Sequence, residues 1–205
     1  SEDILREKES ILPDRRIFND SIHKTRYLDK KNISLIKGSH GCPYSCKFCF
    51  CRLLNSSFHI KGNYHDMFKE IINIDSTYHW IVDDSLLISR GDAIDFIEAS
   101  NCFKFDGSII AYLRADFIME NRDLLNELKN CGLDEVIIGF ESTNKKTLKE
   151  YNKSIDSSIY KEVVKLLKEH NIQLTALFIV DPDYSIKDFY LLNKFIRDVA
   201  LEVYT

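Results

Sequence analysis

The densest chemistry in the chain lies in Ser39-His-Gly-Cys-Pro-Tyr-Ser-Cys-Lys-Phe-Cys49, where Cys42, Cys46 and Cys49 stand four and three positions apart and Cys51 follows two further on. Thiolates are the usual ligands of iron–sulfur clusters, because soft sulfur suits that chemistry. A CxxxCxxC loop can wrap three corners of a cubane cluster and leave the fourth iron without a protein thiolate. An open site on iron is where a small molecule can bind and react. Two other readings compete. Positions 42, 46 and 49 also share one face of an α-helix, but Gly41, Pro43 and Ser45 favour a loop leaving a strand. A zinc site could take His40 or Cys51 as a fourth ligand. Zinc sites usually draw on two separated pairs, however, and no second pair is visible. The spacing ranks iron–sulfur first and zinc second. Cys51 stays outside the ligand set, open between an alternative thiolate, a substrate-side group and a mere neighbour.

The whole chain has 205 residues, 28 Lys and Arg against 32 Asp and Glu, and a formal net charge of −4. That balance gives no reason to expect a nucleic-acid partner, which usually calls for a basic excess. No apolar run approaches the roughly 18 residues of a membrane span. The first ten residues are charged and lack the apolar centre of a signal peptide, so a cytoplasmic protein is expected. A reduced compartment argues against a disulfide framework for the six cysteines. Cys102 and Cys131, remote from the cluster, are expected to be buried beside helices as small hydrophobes.

Elements that could position the cysteine loop follow from periodicity. Residues 1–32 are polar and unpatterned, a lead-in or linker segment, and residues 33–205 form the core domain. Short β-branched or aromatic runs predict strands over 33–37, 80–83, 108–112, 135–140 and 174–180, with a last one over 201–204. Helical spacing predicts helices over 64–74, 93–100, 121–131, 157–170 and 185–200. This alternation is α/β and calls for a parallel sheet with right-handed crossovers. A partial (β/α)6-type barrel is predicted, truncated at the sixth strand. In such folds the chemistry gathers where the chain leaves the C-terminal ends of the strands, and the cysteine loop follows the first strand directly.

Gly41-Cys-Pro-Tyr-Ser-Cys-Lys-Phe-Cys49, with Phe48 before the last cysteine, resembles the signature of the radical S-adenosylmethionine (SAM) superfamily. The resemblance implies a [4Fe–4S] cluster on Cys42, Cys46 and Cys49, with the methionine amine and carboxylate of SAM chelating the fourth iron. It further implies reductive cleavage of SAM to methionine and a 5′-deoxyadenosyl radical that abstracts hydrogen. Phe48 would then pack near the adenine; otherwise it is plain core. The turn after the second strand, Trp80-Ile-Val-Asp-Asp-Ser85, would receive the amino group of SAM at Asp83 and Asp84. The alternative there is an acidic helix N-terminus. Arg114, ending the third strand, would pair with the SAM carboxylate, or serve as an ordinary ion-pair partner. Glu141 follows an apolar run and a glycine, so its carboxylate is carried to the mouth of the fourth strand. There it could accept both ribose hydroxyls, or cap the next helix. Similar Gly-x-Glu-Ser sequences recur at this place in the family. Asp181 stands where relatives commonly carry a glycine-rich turn.

The order of Pro13-Asp-Arg-Arg, the cysteine loop, Val82-Asp-Asp, Arg114-Ala-Asp, Gly139-Phe-Glu-Ser and Asn152-Lys153 is most similar to the branch often fused to a cobalamin-binding domain. Many of that branch are methyltransferases or ring-forming enzymes. With 32 residues before the first predicted strand, no such domain is expected within these 205 residues. Cobalamin is therefore expected only in a longer form or with a partner, and the chain is expected to be a fragment or a short form. A reductant such as flavodoxin or ferredoxin is implied, together with a small-molecule or peptide substrate. Two alternatives remain: a non-catalytic zinc- or iron–sulfur-binding interaction module, and an RNA-modifying member of the superfamily. The latter would need a second cluster or an RNA-binding appendage.

Overall fold

The computed structural model describes residues 12–27, 29–55 and 58–201, without the side chains of residues 52 and 55. Its centre is a five-stranded sheet in sequential order, with every neighbouring pair parallel. The strands are β1 (Ile33–Ile36), β2 (Tyr78–Ile81), β3 (Ser108–Leu113), β4 (Leu133–Glu141) and β5 (Gln173–Phe178). The helices of six residues or more between and after them are α1 (Tyr64–Ile71), α2 (Arg90–Phe103), α3 (Ala115–Glu120), α4 (Leu125–Asn130), α5 (Lys145–Glu150), α6 (Tyr160–Glu169) and α7 (Ile186–Asp198). Parallel strands need such crossovers, and the helices cover one face of the sheet.

Period-2 alternation sorts the strand residues between two environments. Ile36, Ile81, Ile109, Ala111, Val136, Ile138 and Phe140 face the helices and are buried with Phe68, Phe96, Leu128 and Tyr160. Ile33, Ile110 and Ile137 face the other way, packed against Tyr27, Tyr78, Trp80 and Tyr112. A two-residue hairpin, Arg26–Tyr27 with Lys30–Lys31, lies on this second face. Tyr27 and Trp80 have ring centroids 4.1 Å apart. Lys30 sits 3.5 Å from the buried carboxylate of Glu135, which also accepts from Thr175 Oγ1 at 2.7 Å.

Several boundaries differ from those the periodicity predicts, each for a local reason. α2 starts three residues before the predicted helix because Ser89 and Asp92 form a capping box, satisfying two orphan N–H groups reciprocally. The helix predicted over 121–131 is broken: Arg122–Leu124 is a 3₁₀ turn and only Leu125–Asn130 is α-helical. Two six-residue helices, α3 and α5, were not predicted; α5 is capped by Asn144, which accepts from the Lys146 N–H. Within the lead-in, Arg16–Asn19 forms a short helix. The predicted last strand falls on 201–204, of which 202–205 lie outside the described residues. Cys131 is buried as expected, but Cys102 is exposed, a correction to the expectation for both. It lies on the outward side of α2, where a helix turns every fourth residue to solvent.

Candidate cluster and cofactor site

The chain leaves β1 at Gly38, makes an excursion carrying all four clustered cysteines, and returns at Gly62. The neck of this loop is closed twice. His40–Gly41 pairs antiparallel with His59–Ile60. Behind that, Gly62 lies so close to Gly38 that a Cβ on it would sit 1.5 Å from the Gly38 carbonyl oxygen. Gly41 has φ +78°, a conformation open to glycine at no steric cost. Between Cys42 and Cys49 the backbone is non-helical, and helix begins only at Cys51. The loop reading of Gly41, Pro43 and Ser45 therefore describes the backbone, and the helical cysteine stripe does not.

Cys42 and Cys49 are half-buried, Cys46 is buried, and all three are free thiols. The Cys49 N–H donates to the Cys46 carbonyl at 3.2 Å, a tight turn that keeps these two together. Among the described residues no three His, Cys, Asp or Glu side chains converge as they would around a single ion. Burial pushes the Cys42 thiol up, while the Tyr44 N–H and the charge of Arg114 pull it back.

Arg114 is a buried cation beside the cysteine loop. Its guanidinium carbon lies 3.7 Å from the ring centroid of Tyr44 within the cysteine loop, a distance at which the ring face attracts a cation. Its Nη2 pairs with Asp116 at 2.7 Å. The two acidic residues after β2 part company. Asp83 is 1% exposed, and its Oδ1 accepts from the Gly38 N–H at 2.8 Å, with Lys37 Nζ at 3.8 Å. Burial pushes this carboxyl up, against the pull of the Ser39 and Gly38 groups and of Lys37. Asp83 thus ties the β2 exit to the start of the cysteine loop. Asp84 instead accepts from the Cys51 thiol at 3.2 Å. Burial first, then Asp84 and Cys49, push Cys51 up to about 12.

At the mouth of β4 the register shifts between Gly139 and Glu141, and Glu141 has φ +60°. A non-glycine residue in that region costs energy and is held there only by its surroundings. Phe140, immediately before it, is stacked on Tyr160 with centroids 4.1 Å apart, and the Tyr160 hydroxyl donates to the Phe140 carbonyl at 2.8 Å. The Glu141 carboxylate takes a charge-assisted bond from Lys153 Nζ at 3.0 Å. Both lie over Gly139, where a Cβ would come within 2.0 Å of Glu141 Oε1 and 3.1 Å of Lys153 Nζ. Lys153 Nζ is also 5.8 Å from the ring centroid of Phe48. Phe48, 41% exposed, meets Tyr151 edge-on at 5.4 Å.

The structure therefore makes three groupings of the expected residues: Cys42 with Arg114 through Tyr44, Cys51 with Asp84, and Phe48 with Glu141 through Lys153. Tyr44, Tyr151, Asn152 and Lys153 had no role assigned from sequence. Asn152-Lys153 stands out in the order of motifs, but its spacing to the loop gives no hint of contact. At the β5 exit, Asp181 Oδ1 accepts from the Asp183 N–H at 2.9 Å. A side-chain turn thus stands where glycine is usual.

A five-stranded parallel sheet in sequential order, with its polar loops at the C-terminal ends of the strands, is the arrangement of a partial (β/α) barrel. The chain belongs to the radical SAM superfamily, whose description matches residues 36–196; a [4Fe–4S] cluster and SAM are that family's cofactors. Over 167 residues it is 28% identical to the anaerobic magnesium-protoporphyrin IX monomethyl ester cyclase of a Synechocystis species, covering 78% of this chain and 33% of that protein. Among solved structures, the radical S-adenosylmethionine methyltransferase TsrM from Kitasatospora setae superposes with a TM-score of 0.73 at 12% identity, over 83% of this chain and 34% of that one. The cobalamin-dependent S-adenosylmethionine radical enzyme OxsB gives 0.64 at 19% identity, over 79% and 26%. At these identities the two structures speak for the fold. The chain spans about a third of the length of the curated relatives it matches.

Proposed function

We propose that this chain is the catalytic core of a radical SAM enzyme in which Cys42, Cys46 and Cys49 hold a [4Fe–4S] cluster with one iron left for SAM. The observation that carries the reading is the family's cysteine spacing on a loop pinched shut at the C-terminal end of β1. The residues around it suit the group. The donor set is three free thiols of graded exposure, and a buried guanidinium beside the loop offsets the negative charge of a thiolate-ligated cluster. When bound, the cluster and SAM together supply reductive cleavage of the sulfonium and a 5′-deoxyadenosyl radical.

The protein's own part is to bind, orient and exclude water. Glu141, fixed by Phe140 and Lys153, accepts ribose hydroxyls. Phe48 covers the adenine side. Arg114 serves the SAM carboxylate, and Lys153 brings a second cation to the same mouth. The Asp83–Asp84 turn receives the amino group. Asp83 Oδ1 accepts from the Gly38 N–H, so at this turn the reading rests on the other carboxylate oxygens and the backbone carbonyls. Hydrogen abstraction is the first step in this reading, and the similarity to a cyclase and to a methylase among the curated relatives supports ring formation or methyl transfer after it. Cobalamin would join only in a longer form or through a partner, and a flavodoxin- or ferredoxin-type reductant would supply the electron. Among the described residues no helix is long and apolar enough to cross a membrane; a cytoplasmic location fits the reduced thiols.

The test is turnover of SAM. Anaerobically reconstituted full-length protein, reduced with dithionite, should release 5′-deoxyadenosine from SAM. Alanine at Cys42, Cys46 or Cys49 should abolish it, and release that survives any one of these replacements would refute the ligand assignment.

A further inference from the structure

The turn that follows α5 reaches back across the sequence to the cysteine loop. Asn152 Nδ2 donates to the Ser45 carbonyl at 2.9 Å and to Ser45 Oγ at 2.8 Å. An amide nitrogen carries two N–H groups, one for each acceptor. The Lys47 N–H donates to the Tyr151 carbonyl at 2.8 Å, and the Tyr151 ring meets Phe48. Ser45 and Lys47 flank Cys46, the buried cysteine of the three. The next residue of the turn, Lys153, holds the Glu141 carboxylate. Asn152 itself has φ +54°, a left-handed conformation that asparagine tolerates better than most side chains. A single three-residue turn thus grips the loop on both sides of Cys46 and, one residue on, the carboxylate at the mouth of β4.

We propose that Asn152 is a positioning residue: with the Tyr151 carbonyl it clasps the cysteine loop around Cys46 and sets its distance from Glu141 and Lys153. This rests on reading Cys42, Cys46 and Cys49 as the cluster ligands, but the clasp is a contact of the protein with itself and is measurable without the cluster. Asn152→Asp keeps a residue at ease in the left-handed region and removes the donors, setting a carboxylate against the Ser45 carbonyl. Asn152→Gly keeps the backbone free and removes the side chain altogether.

In iron-free full-length protein, amide hydrogen exchange of the peptide covering residues 45–48 should speed up roughly fivefold or more in both variants, the loss of about one hydrogen bond. The peptides of β3 and α6 should exchange as in the wild type. In reconstituted protein, removal of iron by a chelator should accelerate by a similar factor. The SAM concentration that half-saturates the change in the cluster's EPR signal should rise several-fold. If Asn152→Asp does not fold, Asn152→Gly decides alone. Exchange over 45–48 and iron loss both equal to wild type in a folded variant would overturn the clasp. If the wild type takes up no iron, the ligand assignment falls, and the exchange measurement still decides whether Asn152 holds the loop.

Discussion

Gly139 shows how one missing side chain can define a site. A Cβ there would strike Glu141 Oε1 and Lys153 Nζ, both far ends of flexible side chains. Gly139→Ala should therefore move the carboxylate at small cost in stability. We expect the KM for SAM to rise roughly tenfold, about the value of one charge-assisted bond, with iron content unchanged; unchanged KM would count against Glu141 as a SAM contact. At this scale the sequence was informative where partners are close along the chain. The cysteine spacing is local, and so is the apolar run that carries Glu141 to a strand mouth. Lys153 and Asn152 were not legible, because their partners lie 12 and 107 positions away. Only the fold brings them together. Asp83 is an intermediate case: its place after β2 was read from sequence, but its bond to Gly38 across 45 positions was not.

Among the elements, the neck of the cysteine loop and the β1–β2 pair carry the sharpest expectations. At Gly62 the obstacle to a side chain is backbone, the Gly38 carbonyl, so nothing can rotate away. Gly62→Ala should cost more than about 2 kcal/mol and open the neck, seen as a lower Tm and poor iron retention after reconstitution. A normal Tm would contradict the close approach. Behind the same strands, His79 is buried with Nδ1 2.8 Å from Ser34 Oγ, and burial lowers its pKa to about 4. Its folded pKa lies below its unfolded one, so the stability it contributes is present above pH 6.5 and lost as pH falls toward 4. The loss is on the order of 3 kcal/mol. Denaturant titrations across that window should show the decline, and His79→Gln should flatten it. Long periodic elements such as α6 and α7 were legible in the sequence. α3 and α5 were not, since six residues give too little periodicity, and α5 is started by a cap at Asn144 rather than by an apolar stripe.

For the whole molecule the conspicuous feature is the side beyond β5. A groove of about 750 Å³ runs along this edge strand between α6 and α7, lined by Val164, Leu174, Phe178, Leu192, Ile196 and Leu201. On α7, Ile186, Phe189, Tyr190 and Leu191 are exposed as well. Apolar surface of this extent is usually covered in a working protein, and the relatives are about three times as long as the matched region. The chain should bind an environment-sensitive dye such as ANS along this groove, and Leu192→Glu should weaken that binding; equal binding by the variant would mean that the dye sits elsewhere. The alternation of strands and helices made the parallel sheet legible. A partial barrel also implies a side left open; the residues that line it were not legible, because a partly covered face has the same apolar pattern as a fully covered one.

The central claim is that three cysteines hold a four-iron cluster with one corner left to SAM. Mössbauer spectroscopy on ⁵⁷Fe-reconstituted full-length protein, with and without SAM, reads both halves of it. About four irons per chain in a [4Fe–4S] cluster are expected, with one iron site changing its isomer shift when SAM is added. Protein that holds zinc or no metal, or a cluster whose four sites are all indifferent to SAM, would contradict it.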